Sequence, residues 1–232
     1  FVVNHKEDPE LLDYLEDYVK KNKCGISINS IKGCETVKRV NILKDNNSTH
    51  INNHVSILRE LNILDNKHIP NIYLTSSIED RLQLLAGIID TDGHNPKNYK
   101  SKLPKGAFDI AMSRKDLTEQ IQYLARSCGF SVNNVAYKKS NFDSDVYKIS
   151  ISGDLSRIPT KVKRKQYTDY IKSYASRRNK MWIEPIPEIG RYVGIQVDAD
   201  NDDERRLILE DFTLTLNCGK YPKDVPFSKY LP

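Results

Sequence analysis

Apolar and polar residues alternate with a period of two along Gly25–Ile31, Phe108–Met112 and Val146–Ser152, and these stretches predict strands. Val37 to Leu43 predicts another, and Phe1-Val2-Val3 a short one. Helical spacing governs elsewhere. Leu11, Leu12, Leu15, Tyr18 and Val19 fall on one face of a helix running to about Lys21, with Asp8 as its cap and Pro9 at its first position. Ile51 to Leu61 and Leu117 to Ser127 predict two more helices, the second capped by Asp116 and stopped by Gly129. A fourth begins at Ser76 or Ser77, carries Asp80 in its first turn and places residues 78, 82, 85, 88 and 89 in an apolar stripe. Gly153-Asp154 marks a turn, and the polar stretch from Gly93 to Gly106 reads as a loop or a mobile strand pair.

The fourth helix holds the most informative residues, Leu84-Leu85-Ala86-Gly87-Ile88-Ile89-Asp90-Thr91-Asp92-Gly93. Gly87 inside a helix costs about 1 kcal/mol relative to alanine, so a close backbone approach at Ala86 and Gly87 is expected to compensate. The helix ends on two carboxylates with Gly93 as the expected C-cap. A carboxylate at the negative end of a helix dipole is poorly placed for stability, and a bound cation would repair it. The stretch resembles the LAGLIDADG motif of homing endonucleases, matching at Leu85, Ala86, Gly87, Ile89, Asp90, Asp92 and Gly93. The resemblance implies two motif helices packed on each other, each ending in an acid, here Asp92, that holds divalent metal at the DNA.

A weak repeat reinforces it. Phe1 to Lys6 followed by Pro9 to Leu15 parallels Phe108 to Ser113 followed by Asp116 to Ile121, so each copy reads as a strand, a capped helix and further strands. The second copy is preceded by the motif helix and the first begins at Phe1. A first motif helix is therefore expected upstream, and the chain reads as N-terminally truncated.

Composition narrows the class. Charged residues make up 29% and hydrophobic ones 38% of the 232, with 36 Lys and Arg against 31 Asp and Glu. The net +5 is small, but the bases concentrate between Arg157 and Lys180, which favours a polyanion partner. Four cysteines at 24, 34, 128 and 218 show no CxxC pair and no zinc spacing. They read as reduced intracellular thiols, in cytoplasm or nucleus. No run suits a membrane span or a signal peptide.

Phosphodiester hydrolysis needs an activated water, a Lewis acid on the scissile oxygen and positive charge near the developing phosphorane. Asp92 is the candidate metal ligand, and carboxylate with water suits Mg²⁺. Asp90 is expected instead to stabilise the helix end. Lys67, in the pattern Lys-x-Ile-Pro, resembles the active-site lysine position of fungal intein endonucleases. In the second half Lys163 and Lys165, within Lys161-Val162-Lys163-Arg164-Lys165, are the candidates, and spacing does not choose between them. Asn29, Ser30 and Lys32, Lys148, Ser150 and Ser152, and the Lys97 to Lys105 loop are candidates for contact with double-stranded DNA.

The tail is different. Tyr192-Val193-Gly194-Ile195, then Leu207-Ile208-Leu209, Phe212 to Thr215 and Asn217-Cys218 resemble the C-terminal splicing blocks of an intein. An Asn there cyclises through its side-chain amide, and a Cys after it accepts an acyl group. Two features depart from that pattern. Leu216 stands where a penultimate His is usual, and all five histidines (5, 50, 54, 68 and 94) lie in the first half. The nucleophile of the N-terminal splice junction has no counterpart either.

The whole predicts an α+β chain. Residues 1–170 read as a LAGLIDADG homing endonuclease domain of αββαββα-type pseudo-repeat. Residues 171–217 read as an all-β intein (Hint) segment, and 218–232 as the start of the host extein joined in cis. The resemblance is to fungal-type inteins of vacuolar ATPase and spliceosomal pre-mRNA-processing hosts. It implies a site-specific endonuclease coupled to splicing, with Asp92, Lys67, Lys163, Lys165, Asn217 and Cys218 as site residues. The competing readings are a LAGLIDADG-fold nucleic-acid binder, from a degenerate intein, that has lost cleavage and a free-standing RNA maturase. The Asn-Cys block argues against the maturase, and Asp92 against the pure binder.

Overall fold

The computed structural model describes residues 1–44, 53–95, 106–139, 144–167, 206–210 and 212–216. The chain divides into two units, Phe1–Arg178 and Asn179–Pro232. In the first unit β1 (Val2–Asn4), α1 (Pro9–Lys21), β2 (Gly25–Ile31) and β3 (Cys34–Leu43) make one sheet with its helix. Then follow α2 (Asn53–Glu60), the short α3 (Asn71–Leu74) and α4 (Ile78–Asp92), which carries the motif. A second sheet is assembled from β4 (Gly93–His94), β5 (Ala107–Met112), β6 (Ser131–Val132), β7 (Ala136–Lys139) and β8 (Asp145–Ser152), with α5 (Lys115–Ser127) between β5 and β6. The result is a mixed helix and sheet architecture, as the periodicities predict.

The repeat is visible in the strand order. The first sheet runs β1-β3-β2, all antiparallel, so the strand before the helix pairs with the last strand and the middle one flanks it. In the second sheet β5 likewise pairs with β8, and both β6 and β7 pair with the other side of β8. Each sheet presents alternate residues to two faces. Phe108, Ile110, Ile149 and Ile151 face the core, while Asp109, Lys148 and Ser150 lie on the opposite side. Ser27, Asn29, Arg39 and Asn41 are the matching positions of the first sheet.

The main core draws only on residues between Ile69 and Tyr167: Leu85 and Ile89 of α4, Ile121 and Leu124 of α5, and the inward residues of β5 and β8. In the first sheet and α1, Val3, Val19 and Val40 are the buried apolar residues.

Four local expectations change. Asp8 stands at the N-cap position of α1 without capping it, because its carboxylate is bound to Arg164. Helix α5 starts at Lys115, two residues earlier than an Asp116 cap would allow, and that carboxylate sits in the first turn paired with Arg114. Gly93 follows α4 in extended conformation (φ −75°, ψ 136°), not in the left-handed cap geometry. It is required for another reason. A Cβ there would lie 2.7 Å from the Ile89 carbonyl oxygen and 2.8 Å from Ile89 Cα. At Gly87 no close approach is found: the residue is exposed and a Cβ would meet nothing within 4 Å.

In the second unit, β9 (Arg206–Ile208) and β10 (Leu214–Leu216) pair antiparallel, with Leu214 opposite Ile208. Among the described residues, no helix is long and apolar enough to cross a membrane.

Candidate active site

Helix α4 is fixed at its start by Ser77, whose hydroxyl accepts from Asp80 N (3.1 Å) and donates to Asp80 Oδ2 (2.8 Å). At its far end the two acids diverge because they face opposite ways round the helix. Asp90 is buried, and its carboxylate accepts backbone N–H groups of Lys161 (2.7 Å) and Val162 (3.2 Å). Burial pushes its pKa above the ordinary carboxylate value, against the pull of those two amides and of the Lys165 and Lys161 charges. Asp92 is exposed, and its Oδ2 lies 2.9 Å from the Thr91 hydroxyl. That hydroxyl is also 3.1 Å from the Gly87 carbonyl, and its single proton serves one acceptor at a time.

Three of the basic candidates fall into different situations. Lys67 is exposed and lines, with Asp92 and His68, one cavity of about 470 Å³ floored by apolar residues of α2, α4 and α5. The segment after it is held in place by α5, since Ile69 N donates to Gln120 Oε1 at 2.8 Å. Lys165 is 2% exposed, and its ammonium donates to the Ile89 and Asp90 carbonyls, both at 2.7 Å. A cation on the last carbonyls of a helix complements the dipole. Burial, and then the Arg164 charge, lowers its pKa, while Asp8, Asp90 and Asp92 oppose that shift. Lys163 is exposed, with its backbone N–H bound to Glu10 Oε1. Of the two lysines left open by spacing, Lys165 is therefore the one whose charge lies at the helix end carrying Asp92. Sequence reasoning missed that a run read as basic surface contains a buried residue. The apolar Val162, fully buried between the charges, was the signal that could have found it.

Among the described residues no group of three or more His, Cys, Asp and Glu gathers as a metal cage. Asn217, Cys218 and the Lys97 to Lys105 loop lie outside the described residues. Of the sheet candidates, Lys148 is 2.8 Å from Asp109, and Lys38 donates to Ser30 Oγ at 2.8 Å.

Asp92, Lys163 and Lys165 fall within residues 68–168, which match the family model described as homing endonuclease. This segment is similar to homing endonucleases. The matched stretch begins one residue after Lys67 and ends at residue 168. In addition, 73 residues of the chain are 56% identical to the replicative DNA helicase DnaB of Mycobacterium intracellulare, covering 32% of this chain and 12% of the helicase. The chain is thus similar to about an eighth of that relative's length. A solved structure of mesophilic variants of the homing endonuclease I-DmoI superposes with a TM-score of 0.38 at 15% identity, covering 61% of this chain and 59% of the other.

Proposed function

We propose that the chain belongs to a metal-dependent, site-specific DNA endonuclease of LAGLIDADG type, encoded within an intein. The observation that carries it is an exposed carboxylate, Asp92, at the end of a helix in the stretch similar to homing endonucleases, with Lys67 on the same cavity and Lys165 on the same helix end. The donor set fits Mg²⁺. One oxygen ligand without a surrounding cage suits an ion that keeps most of its waters and takes phosphate oxygens for the rest. Asp92 would hold it, and the ion would supply Lewis-acid stabilisation and an acidified water. Lys67 and Lys165 bring positive charge to the phosphate, and Asp90 holds the backbone that carries Lys165. Phosphate contacts give affinity, and the open face of each sheet reads the groove.

The face of α4 carrying Ala86 and Gly87 borders a groove of about 540 Å³, shared with Leu11 and Leu15 of α1 and with Val2 of β1. This groove receives the second motif helix, in accord with the open space at Gly87. The C-terminal unit is the remnant of a fungal-type splicing domain, with Asn217 as the cyclising residue and Cys218 as the acyl acceptor. The β9–β10 hairpin, ending at Leu216 immediately before Asn217, supports that placement.

The test is cleavage of a plasmid bearing the host gene's uninterrupted insertion site, in Mg²⁺, by the protein with its upstream segment. Asp92→Asn abolishes double-strand cutting and leaves DNA binding intact. Undiminished cutting by the folded variant would overturn the assignment.

A further inference from the structure

Five consecutive residues, Lys161 to Lys165, are each tied down by a group distant in sequence. The Lys161 and Val162 amides donate to the Asp90 carboxylate at 2.7 and 3.2 Å. The Lys163 amide donates to Glu10 Oε1. The Arg164 guanidinium donates twice to Asp8, at 2.6 and 2.9 Å. The Lys165 ammonium donates to the Ile89 and Asp90 carbonyls. Gln166 Nε2 then closes the segment on itself through the Thr160 carbonyl at 2.9 Å. No strand pairing holds this stretch, and within it only the turn from Lys163 to Lys165 is regular. Three carboxylates therefore do the work that a sheet edge does elsewhere. Two of them come from the N-terminal end of α1 and one from the C-terminal end of α4.

A basic run of this kind is ordinarily solvated, with each charge free to move. Here the acceptors are spent on backbone amides as much as on cations, which fixes the course of the chain as well as its charge. Asp90 and Asp8 are both 6% exposed, so their hydrogen bonds are costly to leave unmade. The two anchors act at opposite ends of the segment, Asp90 on residues 161 and 162 and Asp8 on residue 164, next to Lys165.

We propose that Asp90 and Asp8 are positioning residues for Lys165: they hold the 161–165 strap so that its ammonium is seated on the final carbonyls of the helix that ends in Asp92. This rests on the reading of Asp92 as the phosphate-site carboxylate. It makes the first half of the molecule, through α1, a contributor to the geometry of a site formed by the second. Neither carboxylate needs to touch DNA or metal for this.

Two readouts test it, one of them independent of cleavage. Native chains are labelled briefly with an amine-selective acylating reagent, and each lysine is quantified by peptide mass spectrometry. Wild-type Lys165 is protected relative to Lys115 and Lys139. Asp90→Ala raises Lys165 labelling at least tenfold, and Asp8→Ala raises it less, with the distant lysines unchanged. Asp90→Asn keeps an oxygen acceptor and gives an intermediate value, and it serves if the alanine variant does not fold. The second readout is plasmid cleavage by the protein with its upstream segment. Both variants lower kcat by about 10- to 100-fold, with KM within threefold, as expected for supporting residues. Unchanged Lys165 labelling in a folded Asp90 variant overturns the proposal. So does increased labelling with unchanged kcat, which leaves the strap a structural tie alone. Normal cleavage by Asp92→Asn overturns the nuclease reading instead, whatever the labelling shows.

Discussion

Helices α1 and α5 are both 13 residues long, and each joins a strand to the later strands of the same sheet. Their environments differ sharply. Helix α5 buries Thr118, Ile121, Leu124 and Ala125, whereas α1 buries Val19 alone. The strands repeat the contrast. Ile149 and Ile151 of β8 are fully buried, while Ile28 of β2 is 38% exposed. One chain thus contains the same topology twice, once around a core and once nearly without one. The difference shows that strand order follows from alternation and connection length, whereas stability depends on what each apolar face meets. The second copy meets α4 through Leu85 and Ile89. The first meets a groove on one side and relies on Asp8 and Glu10 to fasten it to the 161–165 strap.

The strongest challenge to this contrast is truncation in each copy. Phe108→Ala is expected to lose about 3–5 kcal/mol, as buried aromatics do. Ile28→Ala, at a half-exposed position, loses less than about 1 kcal/mol. Urea unfolding of both variants, followed by hydrogen exchange in α1 and α5, checks this. Equal losses would mean that the first sheet has a hidden source of stability.

The glycines of the motif helix sharpen the contrast, because they face different surroundings. Gly93→Ala forces a Cβ into the Ile89 backbone and is expected to cost about 1–3 kcal/mol. Gly87→Ala enters open space and gains up to about 1 kcal/mol from helix propensity. Thermal unfolding of the two variants of the 232-residue chain is expected to show shifts of opposite sign. A loss at Gly87 would show that its face is already covered.

The sequence-level signals succeeded where structure is local. Alternation delimits β2 as found and places the inward residues of β5 and β8, and Ser77 opens α4. They missed where a polar side chain has two possible partners. Asp8 has the sequence context of a cap, yet Arg164, 156 positions away, takes its carboxylate. Periodicity records which side of an element is apolar and carries nothing about such pairings. The site shows the same division. Asp92 and Lys67 were named from motif positions, and both line one cavity. The buried state of Lys165 depends on a turn and on main-chain carbonyls 75 and 76 residues earlier, neither of which leaves a periodic trace.

The smallest expected effect separates the outer faces of the two sheets. Burial alone would raise the Asp109 pKa, but hydrogen bonds from Lys148 and Ser150, with the charges of Lys148 and His94, hold it below the ordinary carboxylate range. A depressed carboxylate stabilises the fold above its unfolded-state pKa, and that contribution fades as pH falls towards the folded value. The pair is partly exposed, so less than about 1 kcal/mol is at stake. Acid titration followed by NMR is expected to loosen β5 and β8 around Asp109 before it alters the Asn29 and Arg39 region. In that region, no carboxylate ion pair forms among the described residues. An acid response that begins in the first sheet would reverse the assignment.

Helix α4 ends at Asp92 and the sheet begins at Gly93, which sits opposite Ile110 of β5 with no loop between. The carboxylate is therefore mounted where the helix passes directly into the sheet. If the second sheet binds DNA as proposed, a twist imposed on it reaches that carboxylate without an intervening loop to absorb it, as by a crank. On that reading a misfit at the sheet displaces the carboxylate directly, so discrimination is exerted on the chemical step even where binding is tolerant. Lengthening the Asp92–Gly93 junction by a single flexible residue would disconnect the two.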